Sequence, residues 1–157
     1  MRPRYETPED VAREQAIAEE LGRLWRVRMV KLIDLFPCDW AALSPNTKAD
    51  ILAYVEIKDR YSYTMEQLDA LGGVFFSALK WAQCEHLCRV CDRPFIFVPR
   101  AAGVLYAHKT WARYMDQHDG VCVDGRYDRG DPKDIEPLVL LRSHRFKPAH
   151  QLQLGGR

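Results

Sequence analysis

The segment Tyr54-Val55-Glu56-Ile57-Lys58 places two charged side chains inside an otherwise apolar run. Because side chains alternate between the two faces of a β-strand, Glu56 and Lys58 point to one face, while Val55 and Ile57 point to the other. Charged residues seldom occupy neighbouring positions on one buried strand face. The pattern therefore predicts a sheet with one apolar face and one face that presents a carboxylate beside an ammonium group.

A second carboxylate comes from the strand before this one. A turn at residues 44–48, rich in proline, asparagine and serine, separates two apolar strands, and Asp39 stands at the start of the first strand. The resulting hairpin brings Asp39 alongside Glu56, whereas Asp50 would lie about 20 Å from Glu56 at ~3.3 Å per residue. Oxygen ligands lie ~2.0–2.6 Å from a divalent cation, so Asp39 is the candidate partner and Asp50 belongs to the turn.

These residue types suit the hydrolysis of a phosphodiester bond, because carboxylates hold a hard cation and a lysine orients water or stabilises a phosphate. The first helix adds Glu14, which lies close to the apolar stripe of that helix, whereas Glu19 and Glu20 are better placed for solvent. A simpler interpretation treats Glu56 and Lys58 as a surface ion pair, which contributes little to stability.

The remaining pattern predicts an α/β (α+β) protein in which helices flank a mixed sheet, with a core order of α-β-β-β-α-β. A chain of 157 residues is expected to form one domain over residues 1–157, with a core over about 8–107 and a C-terminal extension over 108–157. The predicted elements, in chain order, are a helix over 8–24, strands over 25–32, 40–43 and 51–58, a helix over 64–86 interrupted at Gly72 and Gly73, strands over 94–98 and 104–107, a short helix over 109–117 and a strand over 138–141.

Composition narrows the function classes. The formal net charge is +1, so any affinity for nucleic acid must come from a local basic face. No apolar run approaches the roughly 20 residues that a membrane span needs, and the N-terminus lacks the apolar core of a signal peptide. We therefore expect a cytoplasmic protein that does not enter membranes.

The chain has five cysteines, and an odd number favours reduced thiols over a disulfide framework. Three of them lie in the segment Cys84-Glu85-His86-Leu87-Cys88-Arg89-Val90-Cys91. The pair Cys88 and Cys91 could supply half of a tetrahedral zinc site. The other half would have to come from the same segment or, through the fold, from Cys122 or His108. We favour reduced, partly buried thiols over structural Zn²⁺.

The order of Asp39, then Glu56-Ile57-Lys58, then a helix, with Glu14 in a leading helix, resembles the PD-(D/E)XK nuclease superfamily. The leading helix is similar to that of archaeal Holliday junction resolvases. The resemblance covers roughly residues 8 to 107. One departure is that Pro37 stands one residue earlier than the proline of the family motif.

A second, weaker likeness is to small phage-encoded nucleases of the same superfamily. It rests on the segments Gly125-Arg126-Tyr127-Asp128-Arg129-Gly130-Asp131 and Asp134-Ile135-Glu136-Pro137, and it carries no mechanism.

The resemblance implies a DNA endonuclease that uses Mg²⁺ or Mn²⁺ and has Glu14, Asp39, Glu56 and Lys58 as catalytic residues. Asp39, Glu56, Glu14 and the backbone carbonyl of Ile57 would bind the metal, and Lys58 would position the attacking water. The likeness to resolvases further implies branched DNA as a substrate, a homodimer and, for a phage protein, the host cytoplasm.

Four basic side chains are candidates for contact with DNA phosphates. Arg60 lies just beyond the proposed site, and Lys80 lies on the helix that follows it. The other two, Arg142 and Arg145, belong to a basic run near the C-terminus.

Two other classes of function stay open from the residues. The chain could be a binding or scaffold protein that keeps the nuclease fold without activity. It could also be a zinc-stabilised interaction module organised by Cys84, Cys88 and Cys91.

Overall fold

The structure is a computed structural model that describes residues 7–47, 49–60, 62–125 and 135–154. Short 3₁₀ turns cover Ala112–Tyr114, Ser143–Arg145 and Ala149–Gln151. The helices and strands are α1 (Pro8–Trp25), β1 (Arg28–Lys31), β2 (Trp40–Leu43), β3 (Ile51–Arg60), α2 (Met65–Ala70), β4 (Val74–Ser77), α3 (Ala78–Cys91), β5 (Phe95–Ala101), β6 (Val104–Thr110), β7 (Gly120–Gly125), β8 (Ile135–Leu141) and β9 (Lys147–Pro148).

In the described part of the chain, a six-stranded mixed sheet has the order β1-β2-β3-β5-β6-β9. The central strands β3 and β5 are parallel, and their neighbours are antiparallel. A smaller antiparallel sheet of the order β4-β8-β7 packs beside it. The prediction of a mixed sheet flanked by helices is confirmed.

The two faces of β3 belong to two separate core layers. Val55 and Ile57 pack in the layer beneath α1, whereas Tyr54 packs in the layer beneath α3 and the smaller sheet. Glu56 shares the face of Tyr54 because successive strand residues alternate. The C-terminal residues join the first layer through the buried Ala149, whose carbonyl accepts a hydrogen bond from Trp25 Nε1 at 2.8 Å. The charged face of β3 is thus turned toward α3.

The helix α1 forms where the sequence predicts it. The Thr7 hydroxyl accepts a hydrogen bond from the backbone N–H of Asp10, and the Asp10 carboxylate accepts one from the backbone N–H of Thr7. Ile17 and Leu21 are buried one turn apart, so α1 lies against the sheet along this stripe. Glu14 lies one turn before Ile17, on the side of α1 that approaches β1.

The predicted helix over 64–86 is wrong in its middle part. Thr64 does open a helix with a capping box, but α2 is short, and β4 and α3 follow it. The strand forms because Val74 and Phe76 alternate as buried residues that pair with β8. The side chain of Ser77 then caps α3 by accepting a hydrogen bond from the backbone N–H of Lys80, which places Lys80 in the first helical turn.

The predicted short helix over 109–117 is also wrong in extent. Strand β6 continues to Thr110, which is buried, and only the 3₁₀ turn over Ala112–Tyr114 follows. Pairing with β5 holds Lys109 and Thr110 in an extended conformation, although the local sequence pattern predicts a helix there. Within the described residues, no helix is long and apolar enough to cross a membrane.

Gly73 fixes the approach of the smaller sheet to α2, and its replacement should destabilise the fold. Its φ is +131°, and a Cβ added there would lie 2.7 Å from the carbonyl oxygen of Leu141. We expect Gly73→Ala to lower the free energy of unfolding by about 2 kcal/mol or more, in urea titrations followed by tryptophan fluorescence.

Gly103→Ala is the matched control for this prediction. Gly103 also has a positive φ, +84°, but a Cβ there would meet nothing within 4 Å. Its replacement should cost about 1 kcal/mol, from backbone strain alone. Equal losses in the two variants would show that the contact with Leu141 has no part in stability.

Candidate active site

Glu56 is the buried centre of the charged face. Its side chain is 0% exposed, in the middle of β3. Its Oε1 atom accepts hydrogen bonds from the backbone N–H of Asp39, at 2.8 Å, and from Lys80 Nζ, at 2.9 Å. Burial raises the pKa of the Glu56 carboxyl, and the positive charges of Lys80 and Lys58 oppose this increase.

Asp39 meets Glu56 directly before the start of β2, as the predicted hairpin requires. Its Oδ1 atom lies 3.4 Å from Lys80 Nζ, and its side chain is 33% exposed. Burial alone would raise the pKa of Asp39, but the charges of Lys80, Lys31 and Lys58 outweigh burial, and the pKa is lowered. Asp39 is therefore an ionised carboxylate that solvent can reach.

Lys80 joins the two carboxylates. Burial would lower the pKa of its ammonium, but Glu56 and Asp39 outweigh this effect and raise the pKa. The ammonium therefore stays charged between an oxygen of Glu56 on β3 and an oxygen of Asp39, which directly precedes β2. The sequence placed Lys80 only as a candidate for contact with DNA, because its role depends on the strand β4, which resets the start of α3.

Glu14 approaches the site through a lysine that sequence reasoning missed. Glu14 Oε2 lies 3.1 Å from Lys31 Nζ, and the Lys31 ammonium lies 5.1 Å from the centroid of the Trp40 ring. Lys31 lies opposite Trp40 in the β1–β2 pairing, next to Asp39. The pairing of β1 with β2 is the signal that could have identified Lys31. If the two strands are predicted to be neighbours, the last residue of β1 lies beside Asp39.

Lys58 lies two residues after Glu56 on the same face of β3 and is half-buried. Its positive charge opposes the increase in the pKa of Glu56 and helps to lower the pKa of Asp39. Arg60 ends β3, and its side chain lies outside the described part of the structure.

Arg142 and Arg145 lie apart from this cluster, around Asp119. The guanidinium of Arg145 donates to both Asp119 oxygens, at 2.6 and 3.0 Å, and lowers the pKa of Asp119 to about 2. The backbone N–H of Arg142 donates to Asp119 at 2.7 Å, and its side chain is exposed. Of the two, Arg142 is the better placed to meet a phosphate.

The oxygens of the site fit a hard divalent cation. Glu56 Oε2 is buried and accepts no hydrogen bond from the described residues. A buried carboxylate oxygen without a donor is costly unless a cation binds it. Asp39 supplies a second oxygen nearby, although no three His, Cys, Asp or Glu side chains group as metal ligands within the described residues. Mg²⁺ keeps several waters when one or two carboxylates bind it, so this pair is a sufficient anchor.

The cysteines lie behind the carboxylates. Cys38 and Cys84 are both buried, with their sulfur atoms 3.1 Å apart. Cys84 thus contacts the segment that leads into β2, whereas Cys91 is exposed. The hydrogen bond with the Cys84 thiol, together with burial, raises the pKa of Cys38, so the pair is a neutral contact that packs α3 against the segment of Asp39.

Comparisons with known proteins agree with the fold. The solved structure of Hjc, a Holliday junction resolvase from the archaeal hyperthermophile Archaeoglobus fulgidus, matches with a TM-score of 0.50 and 11% identity over 87% of this chain and 96% of that chain. At this identity, the match shows the fold alone. No curated protein matches the sequence.

The family described as "Phage putative PDDEXK endonuclease" matches residues 1–149. The segment 125–131 that first suggested this family lies mostly outside the described residues, which resume at Ile135. The match takes in both residues of the carboxylate pair, Asp39 and Glu56. The chain therefore belongs to the phage PDDEXK endonuclease family.

Proposed function

We propose that this chain is a Mg²⁺- or Mn²⁺-dependent endonuclease that hydrolyses DNA phosphodiester bonds at Asp39 and Glu56. The observation that carries the proposal is the carboxylate of Glu56. It is fully buried, faces Asp39 and Lys80, and leaves Oε2 without a hydrogen-bond donor among the described residues. A buried oxygen without a donor is costly, and a bound cation would remove that cost.

Asp39, Glu56 and the backbone carbonyl of Ile57 would hold the cation. When bound, it would supply Lewis-acid stabilisation of the phosphate and lower the pKa of a water molecule. Glu14 acts indirectly in this proposal. Its carboxylate forms a 3.1 Å ion pair with Lys31 and so holds Lys31 beside Asp39. We therefore assign Glu14 to positioning, in place of the metal ligation, direct or through water, that the family resemblance implied.

The two lysines have different tasks in this proposal. Lys58 lies at the more open end of the charged face, where it would orient the attacking water and offset charge that develops on the phosphate. Lys80 keeps the carboxylates together, because its ammonium contacts Asp39 at 3.4 Å and Glu56 at 2.9 Å. Arg60 and Arg142 would contact phosphates farther along the strand.

The finer assignments follow from the relatives. Hjc is a Holliday junction resolvase, which supports branched DNA as a substrate. Two symmetric cuts need two sites, so we propose a homodimer. We further propose that residues 1–157 work as one domain, that the protein is phage-encoded and that it acts in the host cytoplasm.

The test is a cleavage assay on linear, nicked, flapped and four-way-junction DNA, in Mg²⁺ or Mn²⁺ and in EDTA. We expect metal-dependent cutting that favours branched DNA. Lys58→Ala should lower the rate about 10²–10³-fold, because it removes a charge that acts mainly in the transition state. If the folded protein cuts no substrate in either metal, the alternative of an inactive scaffold on the same fold takes over.

A further inference from the structure

The loop between β1 and β2 exposes three apolar side chains within four residues. Ile33 is 63% exposed, Leu35 is 90% exposed and Phe36 is 44% exposed. Single exposed apolar residues are ordinary, but a group of them on one short loop marks a contact surface. We call residues 33–36 the apolar loop.

Backbone hydrogen bonds hold the apolar loop in a defined conformation. The backbone N–H of Leu32 donates to the carbonyl of Asp39 at 2.8 Å, which closes the loop at its base. The backbone N–H of Phe36 donates to the carbonyl of Ile33 at 3.0 Å, which forms a turn inside it. Cys38, fully buried, anchors the returning chain. The loop thus presents its apolar side chains from a fixed base.

The apolar loop is closed by a backbone hydrogen bond to Asp39, the proposed catalytic carboxylate. Leu35 and Phe36 are four and three residues from Asp39, and four residues of extended chain span at most about 14 Å. The grooves of B-DNA are ~6 and ~12 Å wide. A DNA strand cleaved at Asp39 therefore passes within about 14 Å of Leu35, a distance similar to the width of the major groove.

The charges around the loop suit the same occupant. Lys31, with its side chain 46% exposed and ion-paired with Glu14, precedes the loop. Lys58 on β3 lies close enough to Asp39, at the end of the loop, to lower the pKa of Asp39. The loop itself holds one acidic residue, Asp34, which has an interaction partner of its own. Cations beside an apolar tip match the composition of DNA, in which phosphates flank the faces of the bases.

We propose that the apolar loop inserts Leu35 and Phe36 against an unstacked base step next to the cleaved phosphate. This inference rests on the proposed nuclease function and specifies its substrate. The preferred DNA is one whose step is already open at a nick, flap or junction, because unstacking a continuous duplex costs energy that an interrupted one does not.

Two measurements test this wedge. In cleavage assays, the double variant Leu35→Ser/Phe36→Ser should lose about tenfold of the preference for interrupted over continuous DNA. In the cleavage-inactive Glu56→Gln background, binding to DNA with 2-aminopurine beside the cut site should raise its fluorescence, and the double variant should lose this rise. Leu71→Ser is the matched control, since Leu71 is 63% exposed on a different loop.

An unchanged preference and an unchanged fluorescence rise in the double variant would overturn the wedge while leaving the nuclease function intact. A shift from dimer to monomer in sedimentation, with the fluorescence rise retained, would also overturn it and assign the loop to a second copy of the chain. Failure of the nuclease function would look different, because the wild-type protein would then cut no DNA at all.

Discussion

Glu56→Gln should lower the rate of DNA cleavage by at least about 10²–10³-fold while the protein stays folded. The amide oxygen of the glutamine can still accept the hydrogen bond from the backbone N–H of Asp39, so the hairpin geometry is kept. What is lost is the negative charge on the buried side chain, and with it the proposed anchor for the cation. Asp39→Asn should have the same effect, because Asp39 supplies the other charge.

The control for this prediction is Asp50→Asn. Asp50 is a carboxylate of the same hairpin, but it lies at the turn, with its side chain 48% exposed and 3.6 Å from Arg93. Its replacement should leave the cleavage rate unchanged. Single-turnover rates in saturating Mn²⁺ give the comparison, and circular dichroism checks the fold. Equal rates in Glu56→Gln and the wild type would place the chemistry elsewhere.

Lys80→Met should destabilise the metal-free protein by about 3 kcal/mol, since removing one partner leaves a buried charge uncompensated. The isolated charge is that of Glu56, which is 0% exposed and 2.9 Å from Lys80 Nζ. Urea unfolding monitored by tryptophan fluorescence measures the loss. Adding Mn²⁺ should restore more stability to this variant than to the wild type, because the bound cation would supply positive charge beside Glu56 that the variant lacks.

The penalty in Lys80→Met should fade as the pH falls. Burial raises the pKa of Glu56 above its ordinary value of 4.5, so stability drops as the pH rises from 4.5 through the raised pKa. Lys80 opposes that drop in the wild type. It also lowers the pKa of Asp39, a contribution that is present above pH 3.8 and is lost in acid. The difference between the two proteins should therefore be largest near neutral pH and small near pH 4.

The double variant Glu56→Gln/Lys80→Met separates this ion pair from general damage to packing. With both charges gone, no buried charge is left uncompensated, so the double variant should be more stable than Lys80→Met alone. If the double variant is less stable than both Lys80→Met and Glu56→Gln, the loss of stability comes from the packing of the Lys80 side chain and not from its charge.

The sequence predicts the carboxylate pair because that pair depends on local signals. Strand alternation places Glu56 on its face of β3, and the turn at residues 44–48 returns β2 beside it. Both depend on residues close in the chain, so Asp39 meets Glu56 as expected, with its N–H 2.8 Å from the Glu56 carboxylate.

The role of Lys80 could not be predicted in the same way, because it depends on distant residues. The stretch from Thr64 has a strong helix start, and glycines at 72 and 73 indicate only a break. That Val74 to Ser77 form a strand is decided by pairing with β8, which comes some sixty residues later in the chain. Only this pairing starts α3 at Ala78 and turns Lys80 toward the carboxylates.

Glu14 shows the same limit in a milder form. Its helical spacing places it near the apolar stripe of α1, and the structure confirms a side chain only 15% exposed. Its partner is a lysine from β1, which helical periodicity cannot identify.

The most direct test of the account is a crystal of the protein soaked in Mn²⁺ and measured at a wavelength where manganese scatters anomalously. The account predicts one anomalous peak within ~2.0–2.6 Å of an Asp39 oxygen and of Glu56 Oε2, and no such peak in Glu56→Gln. A protein that cuts DNA but binds Mn²⁺ at other residues, or shows no peak at this pair, would contradict it.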